Sequence, residues 1–132
     1  MLGGQAGYRW GDPFRTRWEI LLTGENLDAG DEPETYSQLG LQFGTEALAA
    51  RFSGSVSVEI GQRWYRDAIN STDAFVLEYS DYSYLALWLM GNWAFTDHFS
   101  IDLTANFEPE NHTEQDDNLA IGFASLRLVW RP

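Results

Sequence analysis

Apolar and polar side chains alternate along most of this chain with a period of two. The longest run puts Leu48, Ala50, Phe52, Gly54, Val56, Val58 and Ile60 on one parity. Ala49, Arg51, Ser53, Ser55, Ser57, Glu59, Gly61 and Arg63 fall on the other. Successive side chains of an extended strand point to opposite faces, so this spacing predicts one apolar face and one polar face. The same split sets Trp18, Ile20 and Leu22 against Arg17, Glu19 and Thr23, and Leu39, Leu41 and Phe43 against Gln38, Gly40 and Gln42. It recurs as Ile101, Leu103, Ala105 and Phe107 against Asp102, Thr104 and Asn106. Recurrence every three or four residues is nearly absent, and the pattern predicts an all-β chain.

Turn chemistry supplies the order of the elements. Short signals at Gly11-Asp12-Pro13-Phe14, Gly44-Thr45-Glu46 and Thr96-Asp97-His98 alternate with long polar connections at Asn26 to Thr35, Arg66 to Ala74 and Glu108 to Asp117. They delimit strands over 2–10, 14–25, 36–44, 47–65, 75–95, 99–107 and 118–130, about seven in all. The predicted fold is an antiparallel up-and-down meander in a single domain over 1–132. Strand 75–95 leaves its facing open. Leu85, Leu87, Leu89, Trp93 and Phe95 favour odd positions as the apolar face, yet Tyr82, Tyr84, Ala86, Trp88 and Met90 are almost as apolar.

Composition narrows the function. The 132 residues carry a formal charge of −12, with eight basic residues, all arginine, against twenty acidic ones. A binder that tracks nucleic-acid phosphates is excluded by that balance. The absence of cysteine removes disulfides, thiolate metal sites and thiol nucleophiles. Six Trp, six Tyr and eight Phe are incompatible with a disordered chain. Apolar stretches such as Leu85 to Met90 fall far below the ~20 residues of a membrane-spanning helix. The N-terminal Met-Leu-Gly-Gly-Gln-Ala-Gly has neither a basic region nor an apolar stretch of signal-peptide length, so an export signal is expected to lie outside this sequence.

Short turns at one end and long connections at the other suit a barrel whose two ends differ. Acidic residues follow the long connections, with Asp28, Asp31, Glu32 and Glu34 in the first and Glu108, Glu110, Glu114, Asp116 and Asp117 in the third. Aromatic rings gather near both ends, as amphipathic rings do at the two interfaces of a bilayer. Trp10, Phe14, Phe43, Trp93, Phe95, Phe99 and Trp130 lie beside the short turns, with Trp18 close by. Trp64, Tyr65, Phe75, Tyr79, Tyr82 and Phe107 lie nearer the long connections.

The passage Leu89 to Leu103, with Trp93-Ala94-Phe95-Thr96-Asp97-His98-Phe99 at its centre, resembles the strand, aromatic, Thr-Asp turn and strand of bacterial outer-membrane β-barrels. The alternation Ala124, Leu126, Leu128, Trp130 is similar to their terminal strand, although Arg131 and Pro132 follow the aromatic here. The resemblance covers the whole chain as a pattern. It implies a porin-like transmembrane β-barrel, or the C-terminal portion of one, in the bacterial outer membrane, with short turns toward the periplasm and long loops outside. Lipid and lipopolysaccharide are the implied partners and small solutes the implied cargo, with no cofactor, no metal and no enzymatic activity. Seven strands is an odd count for such barrels, so the expectation includes missing N-terminal strands or closure in an oligomer.

With the apolar parity toward lipid, the lumen is expected to be lined by Arg15, Arg17, Glu19, Gln38, Gln42, Arg51, Glu59, Arg63, Glu78, Asp102 and Arg127. Such a lining reads either as a constriction that selects solutes by charge or as a packed polar core of mutually neutralised side chains. Two other classes compete. His98-Phe99-Ser100 has the His-x-Ser spacing of outer-membrane lipid A deacylases, where His activates Ser, although Ile101-Asp102 replaces the Asn-Ala that follows in that family. Gly91-Asn92-Trp93 resembles the Gly-x-Trp of lipocalin-like carriers, which would reverse the facing of every strand. His112 among Glu110, Glu114, Asp116 and Asp117 reads first as part of a solvated loop, with a loosely held divalent cation on oxygen ligands as the alternative, although no calcium-loop spacing is present.

Overall fold

The computed structural model describes residues 2–28, 35–66, 80–112 and 118–132. Seven strands account for nearly all of them: β1 (Leu2–Asp12), β2 (Thr16–Leu27), β3 (Tyr36–Ala49), β4 (Phe52–Tyr65), β5 (Tyr82–Ala94), β6 (Phe99–His112) and β7 (Leu119–Trp130). They form one sheet in chain order, each strand antiparallel to its neighbours. The predicted all-β antiparallel meander is therefore the observed fold. No pairing joins β1 to β7 among the described residues, and the sheet is not closed into a barrel.

Two of the short turns are where their residues predict. In the first, Gly11 is the one described glycine with a positive φ, +105°, a conformation that a Cβ would strain. The Asp12 carboxylate accepts the Phe14 N–H at 2.9 Å, and Arg15 N–H donates to the Asp12 carbonyl at 3.1 Å. In the third, Thr96 Oγ1 accepts from the N–H groups of His98 and Phe99.

The second turn is displaced. Gly44-Thr45-Glu46 lies inside β3, which runs on to Ala49, and the chain reverses at Ala50 and Arg51. Gly44 serves the sheet rather than a turn, because a Cβ there would sit 3.0 Å from Glu19 Cγ, whose side chain crosses over it. The two-residue reversal also separates Leu48 from Phe52. Leu48 is paired with Ser53, on the face of the polar side chains, whereas Phe52 is paired with Trp93 on the other. β6 also outruns its predicted end, reaching His112 through Pro109. Proline has no N–H to give the ladder, and the β5–β6 register skips Leu85 and Ala86, the positions facing Pro109 and Glu108.

The two faces of the sheet differ as the alternation requires. One carries Trp18, Ile20, Leu22, Leu39, Leu41, Phe43, Val56, Ile60, Leu85 and Leu87, and every one of these remains exposed. The buried apolar residues are Tyr82, Tyr84 and Ala86, all on the other face. The odd positions of β5, Trp93 among them, thus join the exposed apolar face, and Tyr82, Tyr84 and Ala86 turn inward, which resolves the facing of that strand. The sheet is strongly curled: a single hollow of about 450 Å³ is lined by residues drawn from β2, β3, β4, β5, β6 and β7. The apolar face is accordingly convex and the polar face concave.

Candidate functional site

Antiparallel register places side chains of successive strands in rows across the concave face. One row runs Thr23, Gly40, Gly61 and Tyr84, and the next runs Glu25, Gln38, Arg63 and Tyr82. Two glycines in adjacent strands leave a trough, and the Tyr84 ring lies across it. A Cβ on Gly61 would overlap that ring, and one on Gly40 would overlap the Glu59 carboxylate. The ring covers backbone that glycine would otherwise expose.

A hydrogen-bond network is built on this seat. Tyr84 Oη donates to Glu59 Oε1 at 2.6 Å and accepts from Gln38 Nε2 at 2.7 Å, and Thr23 Oγ1 donates to the same Glu59 oxygen at 3.0 Å. Glu59, a charged group only 8% exposed, is thereby supplied with donors, which its burial demands. Arg63 Nε donates to Gln38 Oε1 at 2.8 Å, and its guanidinium carbon lies 4.3 Å from the Tyr36 ring centre and 5.2 Å from that of Tyr82. Cation–π attraction of this kind is strongest where water is excluded. Tyr36 Oη donates to Glu25 at 2.6 Å. Tyr82 stacks on His112 at 4.6 Å, and His112 is bracketed by Ser80 Oγ at 2.7 Å and Glu110 Oε2 at 3.1 Å.

Toward the short turns the concave face changes character. The hollow of about 450 Å³ has a floor of small hydroxyl side chains, Ser53, Ser55 and Thr104. Arg17 donates to Glu46 at 2.5 Å and Asn92 donates to Asp102. Arg127 also lines the hollow, paired in register with Asp102, yet its side chain makes no hydrogen bond or ion pair among the described residues. A further hollow of about 470 Å³ lies beside the tyrosine network toward β1, over Gly3, Gly4 and Gln5.

Most of the expected lumen residues come together on this face: Arg17, Glu19, Gln38, Gln42, Glu59, Arg63, Asp102 and Arg127 all share it. Arg15 and Arg51 instead occupy the first and second turns, because the strands end before them. Arg15 is at the mouth of the lower hollow, and Arg51 donates to the Phe95 carbonyl at 3.2 Å. Glu78 lies outside the described residues. The alternation did not announce Gly40, Gly61 and Tyr84. The signal was available as two glycines and a tyrosine on one parity, and it requires the register to be read.

The ring-bearing positions divide in the same way. Trp10, Trp18, Phe43, Trp64, Trp93, Phe99, Phe107 and Trp130 carry exposed rings on the convex side, and Phe14 and Phe95 stand exposed in the first and third turns. Neighbouring rings touch, Trp18 with Phe43 at 5.7 Å and Phe95 stacked on Phe99 at 6.1 Å. Tyr65 and Tyr82, expected in the girdle near the long connections, are inside the concave network, since the register pairs Tyr65 with Tyr36 and Tyr82 with Arg63. Phe75 and Tyr79 lie outside the described residues.

The His-x-Ser pair is not assembled as a dyad. Ser100 is 3% exposed and its Oγ has no hydrogen-bond partner, while His98 Nδ1 is 3.0 Å from the Arg131 carbonyl oxygen. Among the described residues no group of three or more His, Asp and Glu is placed to hold a metal ion, and Glu114, Asp116 and Asp117 are outside them. No protein-family profile matches the chain, and no curated protein sequence or solved structure is similar to it.

Proposed function

We propose that this chain is a bacterial outer-membrane β-barrel protein, or the larger part of such a barrel, that passes small solutes along a polar lumen. The observation that carries the reading is the division of one curled sheet into an exposed apolar convex face and a concave face that is polar over most of its strands, with Leu119, Ile121 and Phe123 of the edge strand β7 as the main exception. Large apolar side chains stand exposed on the convex side of all seven strands, a contiguous apolar surface of the kind that marks contact with lipid or a partner. Strands of 11 to 14 residues meet or exceed the ~9–11 that a tilted strand needs to cross the hydrocarbon layer. The convex aromatic rings then sit at the depth where the bilayer meets water. A lipocalin-like carrier needs the reverse, an apolar concave face, and here that face holds Glu59, Arg63, Asp102 and Arg127.

The reading is tested by refolding the chain in detergent, reconstituting it into phospholipid vesicles and floating them on a density gradient. The protein is expected to rise with the lipid, to resist alkaline extraction and to migrate differently in gels before and after boiling. A chain that stays monomeric without detergent and remains at the bottom of the gradient overturns the membrane assignment. Planar-bilayer recordings address transport: stepwise conductance is expected, and its absence in repeated reconstitutions removes the pore while leaving the barrel.

A further inference from the structure

The lower hollow differs from the rest of the concave face in the state of its charges. Three arginines, Arg15, Arg17 and Arg127, stand around it against two carboxylates, Glu46 and Asp102. Both carboxylates are already engaged, Glu46 by Arg17 and Asp102 by Asn92. Arg127 has no such partner among the described residues, and Arg15 only reaches Asp12 at 4.0 Å with most of its side chain in solvent. In a chain of net charge −12 its lining carries three arginines to two carboxylates, and the Arg127 guanidinium is held in no ion pair there although Asp102 faces it in register.

We infer that the hollow binds a small hydroxylated organic anion, a carboxylate of the sugar-acid or hydroxy-acid class, with Arg127 as its principal anchor. The chemistry follows from the lining. A guanidinium fork matches a carboxylate with two parallel N–H···O bonds. Ser53, Ser55 and Thr104 offer hydroxyls that both donate and accept, which is what a polyhydroxylated solute requires. Leu48 and Met90 give the apolar contact against which a carbon skeleton can rest, and about 450 Å³ lies within the size range of small-molecule sites. A free cation is a poorer occupant, because Glu46 is already paired with Arg17 and three guanidinium groups stand around the remaining carboxylate, Asp102. The assignment rests on the lumen reading of the concave face in that it names what the lumen selects.

The test is isothermal titration of the full chain in detergent micelles with D-glucuronate, and with D-glucose as the uncharged counterpart of the same shape. Saturable glucuronate binding is expected, weakening as salt rises, with glucose at least tenfold weaker. Arg127→Gln is expected to weaken glucuronate at least tenfold. Arg127 is exposed on the edge strand, so the variant keeps the gel shift on boiling that reports folding. Thr104→Val provides a second arm and is expected to weaken glucuronate severalfold. Equal affinity for glucuronate and glucose, no binding of either, or undiminished binding by Arg127→Gln overturns the anion site. Vesicle flotation separates the two levels: protein that floats without binding glucuronate loses only the anion site, and protein that binds glucuronate without floating loses only the membrane reading.

Discussion

On the concave face the part around Gly40, Gly61 and Tyr84 is packed and the part toward the short turns is open, although the same strands with the same alternation build both; the packed part opens in turn only on its flank toward β1. Above, between Tyr36 and Tyr84, glycines on β3 and β4 create a trough and tyrosines fill it, leaving Tyr82, Tyr84 and Glu59 all below 10% exposed. Below, Ser53, Ser55 and Thr104 occupy equivalent inward positions with no ring to cover them, and a hollow results. The polarity of the two regions is similar, so polarity does not decide which one fills. Side-chain volume does: a ring needs a glycine opposite it, and where neither is supplied the space remains. Packed tyrosines and an open hollow thus lie at different heights of one concave face.

The largest effect is expected where the packing is tightest. Gly61→Val places carbon where the Tyr84 ring now lies, and overpacking of this kind is expected to cost about 3 kcal/mol. The counterpart below, Ser55→Val, adds less bulk and adds it beside open space, and is expected to stay within about 0.5 kcal/mol. Urea midpoints followed by tryptophan fluorescence in detergent measure both. Equal losses would erase the distinction between the two regions.

Next comes the hydroxyl at the centre of the upper network. Tyr84→Phe keeps the ring over Gly61 but removes one donor to the buried Glu59 and the acceptor of Gln38 Nε2. A hydrogen bond to a charged group in such a setting is worth about 2 kcal/mol, and the same urea midpoints report the loss. Thr23 retains its bond to Glu59, so Thr23→Val combined with Tyr84→Phe is expected to cost more than the sum of the single changes. Strict additivity would show that the carboxylate is served from elsewhere.

How much of this could be read from the sequence depends on which physical signal each part leaves there. The strands and their facing were legible because period-two alternation is local, and Leu85, Leu87 and Trp93 turn outward as the odd parity of β5 suggested. The second turn was misplaced because Gly44-Thr45-Glu46 has turn composition, whereas Gly44 is glycine to clear Glu19 on a neighbouring strand. That requirement arises across strands and leaves no mark in the local pattern. Tyr65 and Tyr82 were assigned to the wrong face for a related reason: position along a strand indicates height, and only parity within the established register indicates side. Of the residues expected to line a lumen, those inside the described strands share the concave face, whereas a shift of a few residues in the strand ends moves Arg15 and Arg51 into turns.

In the lower region the effects on stability shrink while those on binding grow. Arg17→Gln breaks the pair with Glu46, whose side chains are 36% and 53% exposed, and solvent screening holds the expected cost near 0.5 kcal/mol. It also releases Glu46 as an unopposed negative charge beside the hollow, so glucuronate binding is expected to fall although Arg17 is not its anchor. Adding Glu46→Gln to Arg17→Gln should restore part of that binding if the loss is electrostatic.

Arg127→Gln is the smallest perturbation of the fold and the sharpest probe of the contrast. With no partner to lose among the described residues, its unfolding midpoint is expected to lie within about 0.5 kcal/mol of the parent chain. A clear loss of stability would mean that Arg127 is tied into the structure as Arg63 is, and that the lower face is a second packed core. Retained stability with lost anion binding gives the opposite answer. The charge is then held unpaired at the cost of whatever an ion pair with Asp102 would contribute, and the sheet keeps that charge available to a solute.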